Sequence, residues 1–175
     1  MIEDPPLATE ADWESLSGQS ATPATAYQLE VASARIRDHC GWQISQRLDD
    51  EVTARRVGHH LLILPTLFLT EVHRVTHNGD LVDRSLYDWN ETGVIHLHRL
   101  SFVGKWQAVI NHGYRPVPLT VVSECVSRAG LLAANPAGAV SVRVGNVSTT
   151  YAYATSGPSS DFGPNLERYR LPPRA

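Results

Sequence analysis

Cysteine is scarce in this chain of 175 residues, which carries only Cys40 and Cys125. No Cys-x-x-Cys pair is present, and both cysteines fall in segments whose apolar spacing predicts helix. Disulfide frameworks and structural zinc sites need clustered, paired cysteines. We therefore expect both thiols to be small buried core residues.

Excess positive charge is also missing, since 15 basic residues stand against 18 acidic ones and the formal net charge is −3. Proteins that wrap nucleic acid need clustered Lys and Arg to neutralise phosphates. The composition therefore argues against a broad DNA-gripping surface. Every basic residue except Lys105 is Arg, which suits bidentate pairing at interfaces, although a GC-rich genome produces the same bias.

Long hydrophobic runs are absent from the sequence. The longest, residues 61–69, is interrupted at Pro65 and Thr66 and falls short of the roughly 20 residues that a membrane-spanning helix needs. The first six residues are acidic and lack the apolar centre of a signal peptide. We expect a soluble protein, made in the cytoplasm of its host, whose 42% hydrophobic residues suffice for a core.

Signatures of catalysis are lacking as well. The chain has no Gly-x-Ser-x-Gly turn, no phosphate-binding glycine loop and no cysteine with a convincing histidine partner. The acidic tract 48–51 has the character of a solvated segment. The tryptophans are best explained as core or interface aromatics. We therefore predict that the protein is not an enzyme and takes no cofactor.

The eight histidines are the one plentiful feature with chemical potential. His96 and His98 are two residues apart, so on a strand they would face the same side and could share a metal. A cupin-type motif would place a glutamate where Ser101 and Phe102 stand. Other histidines on neighbouring predicted strands are His73, His77 and His112. Solvent-facing histidines are our preferred interpretation; a metal-dependent enzyme using His96 and His98 is the alternative.

Hydrophobic periodicity divides the chain into helical and extended segments. Apolar residues at spacings of three and four predict three helices. They cover about 9–17, 23–40 and 118–134. Residues 42–114 alternate with a period of two and contain Asn78-Gly79, which is typical of a type I′ hairpin turn. A second hairpin is predicted at about 140–153, and a Gly/Pro/Ser-rich linker follows it.

These segments predict an α+β fold with no βαβ signature. The N-terminal and central long helices form a small bundle, the antiparallel sheet is inserted between them, and a C-terminal hairpin and a flexible tail follow. We expect one domain over residues 1–154. Residues 155–175 then form the linker and a tail with a short helix.

Several stretches together resemble the head-to-tail connector proteins of tailed bacteriophages. Residues 29–42, LEVASARIRDHCGW, resemble the opening helix of that family. Residues 62–65 with Asn78-Gly79 are similar to its hairpin, and VINHGY at 109–114 is similar to its turn into the long helix. The resemblance spans residues 9–171. It is strongest to the adaptors of long-tailed phages that infect actinobacteria, or to prophage copies of them.

The resemblance implies a structural virion protein located in the neck, at the head-tail interface. Such adaptors form a ring of copies, usually twelvefold, beneath the portal protein. The ring extends the channel for double-stranded DNA, which passes without sequence reading, and offers a docking surface for the stopper or tail-terminator protein. The resemblance carries over no catalytic residue. Another neck or tail-completion protein is the alternative.

The C-terminal tail is the candidate contact element. Beyond Gly157 it carries apolar side chains and arginines that could order on contact with a partner. We predict that the portal or an adjacent copy binds Phe162, Leu166, Arg168, Tyr169, Arg170 and Leu171. An exposed edge of the predicted sheet offers a second place where another chain could pair.

Overall fold

The structure, a computed structural model, describes residues 4–98, 103–134, 141–144, 147–150, 162 and 164–172. The chain forms two compact units, each discontinuous in sequence. The helical unit comprises Met1–Cys40 and Val117–Arg170, and the sheet unit comprises Gly41–Pro116 and Leu171–Ala175. The predicted α+β class with an inserted antiparallel sheet is confirmed. The division into a 1–154 domain and a 155–175 tail stays a prediction.

The helices begin and end where local signals place them. They are α1 (Glu10–Ser17), α2 (Pro23–Cys40), α3 (Leu119–Ala134) and the short α4 (Pro164–Glu167). Thr9 caps α1 through a reciprocal capping box with Asp12. Gly18 and Gly41 follow α1 and α2 with φ of 68° and 78°, a conformation that glycine adopts without penalty. The three predicted helices are confirmed to within one residue at each end.

The core of the helical unit lies between α2 and α3. Leu29, Ala32 and Ile36 are buried on α2, and Val122 and Val126 are buried on α3. Burying such side chains contributes about 1.5–3 kcal/mol each for the larger ones. The first residue of α3, Leu119, lies outside this contact. Leu119 is 80% exposed.

Both cysteines are buried free thiols, as predicted. Burial raises the pKa of the Cys40 thiol to about 12. Burial likewise raises the pKa of Cys125, against the opposing effect of a hydrogen bond with Ser33 at 3.4 Å. Thiols held neutral in this way are inert core residues.

The described residues of the sheet unit form seven antiparallel strands. They are β1 (Arg47–Val57), β2 (Leu61–Ile63), β3 (Leu69–His77), β4 (Asp80–Leu81), β5 (Tyr87–Trp89), β6 (Val94–Leu97) and β7 (Trp106–His112). Their order is β4-β3-β7-β1-β2-β6-β5. The long β1 connects the two halves, because its earlier residues pair with β7 and its last three pair with β2.

The sheet folds around one apolar cluster to which six of its strands contribute. The alternation of β7 places Trp106, Ala108 and Ile110 in this cluster, as the period of two predicts. Asn78 and Gly79 join β3 to β4 with φ of 52° and 94°. Two consecutive positive φ angles are those of the predicted type I′ turn.

The C-terminal hairpin is present as β8 (Ser141–Val144) paired with β9 (Val147–Thr150). It lies within the predicted range of 140–153. Its turn, its last three predicted residues and residues 155–161 of the predicted linker lie outside the described residues. No helix in the described part of the chain is long and apolar enough to cross a membrane.

Candidate functional site

The predicted contact segment packs against helices of its own unit. Leu166 is completely buried and Tyr169 is 8% exposed. The Phe162 ring stacks on His39, with ring centroids 4.2 Å apart, and the guanidinium of Arg128 lies 3.9 Å from the same ring. Three predicted anchors are therefore engaged inside the chain itself. Partner binding by this segment stays a prediction.

The remaining predicted contact residues are more accessible. Arg168 is exposed, donates to the Thr120 hydroxyl at 2.8 Å and lies over the ring of Tyr169. Arg170 is exposed and lies 3.6 Å from Glu167. Leu171 is half-buried in the sheet unit, close to Gly41. Since they are exposed, the two arginines are the predicted residues best placed to meet a partner.

Arg128 is a structural residue that sequence reasoning missed. It is buried on α3 and pairs with Glu124, four residues earlier, at 2.8 Å. A buried cation needs such partners because desolvation is costly. One signal in the sequence could have identified Arg128. It lies between Cys125 and Ala129 in an otherwise apolar stripe, and a glutamate stands one turn before it.

His96 lies on β6 and His98 directly follows that strand; both are exposed. The Nε2 atom of His98 is 2.8 Å from a carboxylate oxygen of Asp88, which stands opposite His96 in the β5–β6 register. This contact is a surface ion pair when the imidazole is protonated. Within the described residues, no group of three or more His, Cys, Asp or Glu side chains could hold a metal ion.

His112 is not solvent-facing, which corrects the prediction made for the strand histidines. It is 2% exposed, and its Nε2 atom lies 3.0 Å from Asp50, which also accepts from Arg47 at 3.2 Å. The inward alternation of β7 continues to its last residue, so the imidazole enters the interior. The acidic tract 48–51 is likewise not merely solvated, because Asp50 is the partner of this buried ring.

The electrostatics of this pair favour a neutral imidazole. Burial lowers the pKa of His112, the hydrogen bond and charge of Asp50 oppose that effect, and Arg47 adds to it. An imidazole and a carboxylate at this distance could serve acid–base chemistry if a substrate could reach them. At 2% exposure the ring is closed to a substrate, and its contacts hold β7 to β1.

Comparison with known proteins identifies a shared fold. No family model matches the chain, and no curated protein matches it either. Among solved structures, the chain is similar to a chain from the neck of a native GTA (gene transfer agent) particle, computed with C12 symmetry. The two align over 100% of this chain and 95% of that chain, with a TM-score of 0.61 and 12% identity.

Proposed function

We propose that this protein is a structural neck subunit of a phage-like particle and acts there as its head-to-tail adaptor. The observation that carries the proposal is the fold shared, over the whole chain, with a chain of the GTA particle neck. The order of helix, inserted sheet, second long helix and hairpin resembles phage connectors and supports the same assignment. The adaptors that this chain is proposed to resemble most are those of the long-tailed phages of actinobacteria, or of prophages derived from them.

In the proposed role, twelve copies form a ring beneath the portal and present a docking surface to the stopper or tail terminator. The C12 symmetry of the GTA neck supports this number. Double-stranded DNA passes through the ring. A net charge of −3 suits such a channel, because clustered Lys and Arg would hold the phosphates of a duplex that must slide.

The buried and surface polar contacts fit a structural role. The His112–Asp50 pair is enclosed, and His98 is engaged by Asp88 on the surface. The first contact joins β1 to β7, and the second joins β5 to the residue after β6. These side chains therefore stabilise the sheet, which is the contribution expected of a virion component.

The test is electron microscopy of the purified protein mixed with portal rings from the phage or prophage that encodes it. We expect twelvefold density stacked on the tail-facing side of the portal. Tail tubes of the same phage serve as the matched competitor, because a tail-completion protein would bind tubes in preference to portals. Association with tubes alone, or with neither particle, would refute the adaptor assignment.

A further inference from the structure

An uncharged groove of about 560 Å³ lies between α1 and α3 in the helical unit. Trp13 and Leu16 form part of the α1 wall, and Ser123, Ser127 and Gly130 form part of the α3 wall. Small side chains on a helix allow another element to approach it closely. None of the described residues that line the groove carries a charge.

The groove continues into an exposed row along α3. Leu119 and Leu131 extend the row of Ser123 and Ser127 at a spacing of four residues, and all four are exposed. Leu16 on α1 is also exposed. A continuous apolar and small-residue surface of this kind marks a protein contact more often than scattered exposed leucines do.

The sheet unit exposes two aliphatic side chains in a region that we call the tip and define as residues 78–81 and 103–105. Val103 is 89% exposed and Leu81 is 71% exposed. The two segments are held together, because the Asn78 amide donates to the Lys105 carbonyl at 2.8 Å and the Lys105 amide donates to the Asn78 side chain at 2.9 Å. These hydrogen bonds fix the two segments of the tip to each other.

We propose that the tip of one copy docks into the α1–α3 groove of the next copy. The inference rests on the proposed function, because a closed ring requires each subunit to present two different, complementary patches. The chain supplies both: the exposed aliphatic side chains of the tip, and a groove of small residues that can receive them. Burying Val103 and Leu81 there removes their apolar area from water, as the centre of an interface does.

Charge complementarity favours a second copy as the occupant. Helix α1 carries three carboxylates and no basic residue. Among them, Glu10 is exposed one turn before Trp13. The tip carries Lys105, the only lysine of the chain, which is exposed close in sequence to Val103. The one carboxylate of the tip, that of Asp80, stands opposite His77 in the β3–β4 pairing. Opposite charges at the rim set the orientation in which two surfaces meet.

Disulfide trapping tests the contact. One chain carries Val103→Cys and another carries Ser127→Cys; the native Cys40 and Cys125 are buried and do not compete. The two are mixed with portal rings and oxidised. We expect a covalent dimer from the mixture, little from either variant alone, and a ladder of multimers when both substitutions share one chain. Ala24→Cys, at a small exposed position on α2, is the matched control and should give no dimer with Val103→Cys.

The outcomes separate this inference from the proposed function. Rings on the portal without a mixed disulfide would overturn the tip-to-groove contact and leave the adaptor role intact. Dimers from the Val103→Cys chain alone would also overturn the contact, because they indicate that like patches meet. Trapping without portal association would support the contact and contradict the adaptor role. Neither trapping nor association would overturn both.

Charge reversal tests the rim of the same contact. Lys105→Glu should lower the yield of the mixed disulfide roughly tenfold, because it places like charges together. Glu10→Lys in the groove-bearing partner should restore the yield, and Lys105→Arg should leave it unchanged. Failure of the Glu10→Lys rescue, with both chains folded by circular dichroism, would contradict the proposed orientation.

Discussion

Replacing Gly113 by alanine should strongly destabilise the sheet unit. The residue has φ of 85°, and a Cβ built there would lie 2.3 Å from the Ser45 carbonyl oxygen and 2.7 Å from its carbonyl carbon. Those atoms belong to the backbone and cannot rotate away. An alanine therefore forces the segment at Ser45 and the segment at Gly113 apart.

The free-energy cost of that separation follows from the hydrogen bonds between the two segments. The Tyr114 amide donates to the Ile44 carbonyl at 2.8 Å, and the Gln46 amide donates to the Tyr114 carbonyl at 3.1 Å. Losing both bonds, at about 1 kcal/mol each, and placing alanine at positive φ, at about 1–2 kcal/mol, gives a loss of about 3–4 kcal/mol.

Gly79→Ala is the matched control. Gly79 has φ of 94°, but nothing lies within 4 Å of a Cβ built on it. Only the conformational cost applies, so we expect a loss of about 1–2 kcal/mol. Comparing the two variants separates the effect of the steric clash with Ser45 from the cost of placing alanine at a positive φ angle.

Urea unfolding, followed by tryptophan fluorescence, measures both variants. Trp42 and Trp106 are buried in the sheet unit and report on its unfolding. With a denaturant slope of about 2 kcal/mol/M, Gly113→Ala should lower the midpoint by roughly 2 M and Gly79→Ala by less than about 1 M. Equal shifts for the two variants would refute the claim that a clash with the Ser45 backbone adds to the destabilisation.

Three further predictions concern buried and exposed side chains. Because the pKa of His112 is lowered in the folded state, its contribution to stability should be complete above about pH 6.5 and should decline as the pH falls towards the folded-state pKa. His112→Gln should flatten that part of the pH–stability curve. An unchanged curve would contradict the conclusion that the buried His112 is neutral. The double variant Arg168→Ala/Arg170→Ala should weaken portal binding roughly tenfold in a pull-down. It should change the melting temperature only slightly, because the contacts of Arg168 with Thr120 and of Arg170 with Glu167 lie at the surface. Unchanged portal binding would show that the two arginines are not part of the partner surface. Cys40 and Cys125 should react with a thiol reagent only after denaturant is added, and rapid labelling of the native protein would show that the core opens.

Local chemistry in the sequence determined the secondary structure. The cap at Thr9, the glycines after α1 and α2 and the Asn78-Gly79 turn act over a few residues, so a reading of the chain finds them without knowing the fold. The period of two likewise predicted that Trp106, Ala108 and Ile110 share a face. The class of fold followed from the order of these segments.

Only the tertiary structure decided which polar and apolar groups met. His112 and Asp50 are 62 residues apart, and their contact depends on the pairing of β7 with β1. Phe162 meets His39 and Arg128 only because the C-terminal segment folds back onto the helical unit. The pattern of residues along a strand or helix indicates the side that each residue faces. Strand register and helix packing determine the distant residue that it meets on that side, and no local signal encodes them.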